Sequence, residues 1–137
     1  MKANLAKVLL REIGEPLSAF DGLCGELADL LLQWLDDVGE RGHRLLYLDR
    51  IPNSLDLCYR VGDGRWIYDW RYHVVVLDAD DYVHDAWSAG EHAVPFAEYM
   101  NVSFPGQRVG LMLDGEDYGT HPWENEHEVP EHGAGLD

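Results

Sequence analysis

The sequence predicts an α+β domain in which N-terminal helices pack on an antiparallel β-sheet. Three observations predict it. Helical periodicity marks residues 3–13 and about 23–37. From residue 43 the pattern changes to short apolar segments bounded by Pro, Asn and Gly. The stretch Arg65–Trp87 then reads as a long apolar strand, an acidic turn and a second strand.

Taken in order, residues 3–13 carry Leu5, Val8, Leu9 and Ile13 on one helical face, with Gly14 to end the helix and Pro16 just beyond. Residues 17–22 form a loop whose Asp21 is positioned to cap the next helix. That helix covers about 23–37. Leu23, Leu27, Leu30, Leu31, Trp34 and Leu35 form its apolar face, Gly39 marks its end, and Cys24 falls in its first turn. Residues 43–50 read as a strand and Pro52-Asn53-Ser54 as a turn. A second strand lies within Leu55–Val61, where Cys58 is mid-strand and structural. Gly62-Asp63-Gly64 turns the chain into the central stretch. There, strands Trp66–Leu77 and Tyr82–Ala86 flank Asp78-Ala79-Asp80-Asp81. The run Val74–Leu77 is too uniformly apolar for a half-exposed strand, which predicts a central position in the sheet. Residues 94–101 suggest a short helix with Pro95 in its first turn, and Gln107–Leu113 a last strand. From Asp114 onward the chain is acidic, lacks Lys and Arg, and is punctuated by Gly, Pro and His. The expected organisation is one domain over 1–113 and a loosely ordered acidic tail over 114–137.

A chain of 137 residues with five Trp and seven Tyr buries a core without metal or disulfide staples. Two cysteines make no disulfide framework, and no Cys/His spacing of a zinc site is present. In the tail, His121, Glu124, His127 and His132 are too irregularly spaced to specify a metal site, and no cofactor motif appears. No segment approaches the roughly 20 apolar residues of a membrane span, and Met1–Gly14 lacks a signal-peptide layout, so a cytoplasmic protein is expected. The formal charge of −16, from 10 Lys and Arg against 26 Asp and Glu, argues against nucleic-acid and anionic-membrane binding. It suits a basic protein partner.

The chemistry suggested is nucleophilic. A thiol needs a base to take its proton, and the base needs a third group to orient it. Cys24 at a helix start lies where unpaired N–H groups and the helix dipole favour a thiolate and a developing oxyanion. His73 on one strand and Asp85 on the next supply the base and its orienter. The arrangement depends on register. If residues 77 and 82 pair, Asp85 falls opposite Val74 and points away from His73. If 78 and 82 pair around a three-residue turn, Asp85 falls opposite Val75 and shares the His73 face. His84 is an alternative base. Trp70 and Trp87 are candidates to line a substrate pocket, and Ser18 is a weak candidate oxyanion donor.

The order of Cys-helix, His-strand and Asp-strand resembles the papain-like and transglutaminase-like superfamily, most closely its protein glutamine amidohydrolases and deamidases. Trp70-Arg71-Tyr72-His73-Val74-Val75 is similar to a Trp-x-Tyr-His-Val pattern. His84-Asp85 follows, and Val94-Pro95-Phe96 with Glu98-Tyr99 resembles the segment after the Asp. The resemblance spans about residues 20–100. It departs from the N-terminal glutamine enzymes in length and in lacking their second Cys near the nucleophile. It implies a papain-like core and hydrolysis of a protein or peptide amide through a thioester, with Cys24, His73 and Asp85 as catalytic residues. The alternative is an acidic inhibitor or nucleic-acid mimic of phage type that binds a basic protein without catalysis.

Overall fold

The structure, a computed structural model, describes residues 2–50, 57–60, 64, 66–70, 72–88 and 90–121, with 50, 57–60 and 66–70 described by their backbone. Two helices open the chain. In α1 (Leu5–Ile13) the Asn4 side chain accepts the Ala6 N–H at the start, and Gly14, at φ 71°, closes the end. Its buried face is Ala6, Leu9 and Leu10. Ile13 was expected on that face but is 41 % exposed, because the helix reaches its cap there and leaves the core. After a 3-10 turn (Leu17–Phe20) comes α2 (Cys24–Asp37), which buries Cys24, Leu27, Ala28, Leu31 and Leu35 at helical spacing. Asp21 does not cap it. The cap position is Leu23, which has no side-chain oxygen, and the Asp21 N–H closes the preceding turn on the Ser18 carbonyl.

Six strands form one antiparallel sheet: β1 (Arg44–Arg50), β4 (Tyr72–Leu77), β5 (Tyr82–His84), β6 (Val94–Pro95), β7 (Val109–Leu113) and β8 (Glu116–His121). Their order is β6-β5-β4-β1-β7-β8. A separate pair joins β2 (Leu57–Arg60) to β3 (Trp66–Trp70). Between β6 and β7 lies α3 (Phe96–Ser103), with Pro95 at its cap rather than in its first turn. The architecture is α+β, with helices packed against the sheet: α2 on β4 and β1, and α1 on α2. Among the described residues no helix is long and apolar enough to cross a membrane.

Two expectations change. The single strand Trp66–Leu77 is two strands in two sheets. Trp66–Trp70 pairs with β2, whereas Tyr72–Leu77 is nearly all buried between β1 and β5. The change of pattern at Arg71, from mixed to continuously apolar, marks the transfer. The sheet also does not end at Leu113. Asp114 (φ 51°) and Gly115 (φ 85°) form a two-residue Asp-Gly turn that pairs Leu113 with Glu116 and brings β8 into the sheet. Acidic composition hid a hairpin signal, so the folded unit reaches at least His121. The rest of the tail lies outside the described residues.

Candidate active site

Cys24 is the first residue of α2 and is 5 % exposed. Because no side chain caps this helix, its first-turn N–H groups remain for the sulfur. The Gly25 backbone donates to the thiol, as does the Val74 backbone on β4. Gly25 also lets the helix start lie close to the sheet: a Cβ there would already meet Val74 Cγ2 at 4.0 Å.

The turn between β4 and β5 fixes the partner of His73. Val76 pairs with His84 and Leu77 with Val83, which extends to 78 with 82. This is the register that puts Asp85, the residue just past β5, on the His73 side of the sheet. Asp78 builds the turn. Its Oδ1 accepts the N–H groups of Asp80 and Tyr82 at 2.8 and 3.0 Å, and its N–H donates to the Tyr82 carbonyl at 2.9 Å. Asp81 takes the left-handed conformation (φ 65°) that a three-residue hairpin loop requires at its last position.

The result is a buried chain of side chains. His73 is 0 % exposed and its Nε2 lies 3.0 Å from Asp85 Oδ2. The Tyr99 hydroxyl donates to the same oxygen at 2.8 Å, and the Trp87 N–H to Oδ1 at 3.0 Å. The Asp85 carbonyl accepts from Asn4 Nδ2 and Ser88 Oγ, both at 2.8 Å. A carboxylate only accepts, so the His73 proton nearest Asp85 sits on Nε2. Burial works against charge on His73, but the negative charge and hydrogen bond of Asp85, then Cys24, raise its pKa to about 9. Burial likewise pushes the Cys24 thiol up. The hydrogen bond and charge of His73, with the Val74 and Gly25 backbone, more than offset that and bring it below the ordinary thiol value. Both shifts favour the thiolate–imidazolium pair.

Around this chain, the Trp87 ring meets His73 edge-on at 5.7 Å and 76° and is nearly buried, so it packs on the base. The Trp70 side chain lies outside the described residues. Ser18 is exposed on the 3-10 turn. His121 ends β8 and packs edge-on against Phe96, while Glu124, His127 and His132 lie outside the described residues. The void at the thiol holds about 10 Å³, room for one water. A larger cavity, about 290 Å³, opens instead beside a second pair, His84 and Asp78. Volume does not mark the chemistry, because that pair is fully committed. The Leu5 N–H donates to His84 Nδ1 at 3.0 Å, so the ring proton is on Nε2, which donates to Asp78 Oδ2 at 2.9 Å. His84 has no nitrogen left to act as a base. Comparison with protein-family models, curated proteins and solved structures finds no match.

Proposed function

We propose that the protein is a small cysteine amidohydrolase of papain-like type, in which Cys24 is the nucleophile, His73 the acid and base, and Asp85 the orienter. The observation that carries this is the continuous buried chain from thiol to imidazole to carboxylate, with Cys24 shifted down and His73 up to about 9. Burial of a cysteine alone favours an inert core thiol. A charged partner held by its own carboxylate has no use in an inert one.

The thiolate attacks an amide carbonyl carbon, and the carbonyl π electrons move to oxygen. N–H groups at the start of α2 stabilise that oxyanion. The tetrahedral intermediate collapses, the C–N bond breaks, and His73 donates its Nδ1 proton to the leaving nitrogen. Water then loses a proton to His73 and attacks the thioester, which releases a carboxylate and restores the thiolate–imidazolium pair. If the amide is a glutamine side chain, the products are glutamate and ammonia; if it is a peptide bond, two shorter chains. With Cys24 at 5 % exposure and about 10 Å³ beside it, a substrate enters by displacing a wall residue. Trp87 is in that wall and serves as substrate contact once displaced.

Incubation with a glutamine-containing peptide library tests this, with ammonia release and new N-termini measured in parallel. Wild type hydrolyses one class, and Cys24→Ala lowers the rate about 10³-fold or more. No turnover on either, together with alkylation of native Cys24 no faster than of unfolded chain, overturns it. The formal charge of −16 favours a second reading, an acidic protein that binds a basic partner without catalysis. On that reading, binding is strongly salt-dependent and survives Cys24→Ala.

A further inference from the structure

Asp85 Oδ2 serves two donors, and only one of them belongs to the proposed triad. The other is Tyr99, 1 % exposed on α3. Its position follows from the chain path. β6 pairs with β5, the Phe96 N–H donates to the Asp81 carbonyl at 3.0 Å, and α3 therefore starts from the same turn that sets the β4–β5 register. One turn into α3, the Tyr99 hydroxyl reaches Asp85 Oδ2 at 2.8 Å, beside His73 Nε2 at 3.0 Å. A phenol facing an acceptor-only carboxylate must donate. The ring is anchored by Phe104, edge-on at 6.2 Å and 64°, so the hydroxyl has little freedom to leave.

We propose that Tyr99 is a positioning residue of this site: its hydroxyl fixes the Asp85 oxygen that engages His73 and takes a share of that oxygen's charge, and so sets how firmly His73 holds its proton. The inference deepens the hydrolase reading and rests on it for turnover, but the His73 proton is read without any substrate. A donor on Oδ2 competes with His73 for the same lone-pair density. Removing it concentrates the carboxylate charge on the imidazolium, which then gives up its proton less readily, both to solvent and to a leaving nitrogen.

The experiment is the pH dependence of Cys24 alkylation by iodoacetamide, resolved from Cys58 by peptide mass spectrometry. A thiolate–imidazolium pair gives a two-step rise: one step as the pair forms, a second as His73 loses its proton near pH 9. In Tyr99→Phe the second step moves up by about 0.5–1 pH unit, and kcat falls about 3–10-fold with KM unchanged. Ser88→Ala removes a hydrogen bond to the Asp85 carbonyl rather than its carboxylate, and leaves the step in place. In an Asp85→Asn background Tyr99→Phe shifts nothing further. Should Tyr99→Phe fold poorly, 3-fluorotyrosine in place of Tyr99, a stronger donor of the same shape, moves the step down. A second step that stays put in Tyr99→Phe, or an equal shift in the Asp85→Asn background, overturns the proposal. A shifted step in a protein that hydrolyses nothing upholds Tyr99 and removes the hydrolase reading. An unshifted step in an active enzyme does the reverse.

Discussion

His73–Asp85 and His84–Asp78 are the same pair of side chains, buried to a similar degree, at 3.0 and 2.9 Å, either side of one hairpin. They differ in what meets the second imidazole nitrogen. At His84 it is the backbone N–H of Leu5, a group that only donates, so Nδ1 is taken up as an acceptor. The His73 ring is engaged by the Cys24 thiol, which can give up a proton that the ring can take. A buried histidine with its carboxylate is therefore neither structural nor chemical by itself. The residue on the far side decides.

The largest effect expected from breaking this contrast comes from His73→Gln. Glutamine keeps a donor for Asp85 but cannot carry charge. Cys24 loses the partner that holds it below the ordinary thiol value. Its alkylation at pH 7 should slow by about 10–100-fold, and turnover should fall by about 10²–10⁴-fold, the usual contribution of a general acid and base. If His84→Ala instead gave the larger loss of thiol reactivity, the roles assigned to the two pairs would be reversed.

His84→Ala is expected to act on stability. It removes the acceptor of the Leu5 N–H and one of the two donors on Asp78 Oδ2, each at a cost of about 1–3 kcal/mol when buried. Asp78 keeps Lys2 at 3.0 Å and its turn N–H groups, which favours the lower half of that range. Denaturant unfolding should show a loss of about 2–4 kcal/mol, with Cys24 alkylation at pH 7 within about twofold of wild type. A tenfold fall in alkylation with stability unchanged would mean that His84 belongs to the chemistry.

The contrast also shows what was legible in the sequence. Cys24 at a helix start, His73 in a strand and the choice between two registers were all readable, because each rests on local periodicity. The decision between registers was not. It depends on Asp78, whose side chain reaches two turn N–H groups while also meeting His84 and Lys2 across the fold. The sequence places Asn4 inside the first helix, but its side chain caps α1, and its second bond, to the Asp85 carbonyl, joins positions 81 residues apart and has no local trace. Tyr99 enters the sequence reading only through the resemblance of Val94–Tyr99 to the segment after the Asp. Its bond to Asp85 Oδ2 appears only once β6 returns the chain to the β5 edge. The Asp114-Gly115 turn was not read, because the acidity from Asp114 onward pointed to a tail. Net charge reports solubility and partners, not strand pairing.

The smallest expected effect, and the most specific to the His73 pair, is the slope of stability between pH 6.5 and 9. His73 has a folded pKa raised to about 9 from an ordinary 6.5, so the stability it contributes is complete below about 6.5 and is lost as pH rises through about 9. Cys24 works the other way. Its folded value lies below the ordinary 9.0, so its contribution is present above that value and is lost as pH falls through the folded one. Across the window the two slopes oppose each other, so the wild-type decline should be shallower than His73 alone would give. Cys24→Ala removes one side only. His73 stays raised, because Asp85 is its first source of stabilisation, so stability should decline more steeply as pH rises from 6.5 to 9. Thermal melts of both proteins at half-unit intervals check this. A Cys24→Ala curve no steeper than wild type would mean that His73 is not charged in the folded protein.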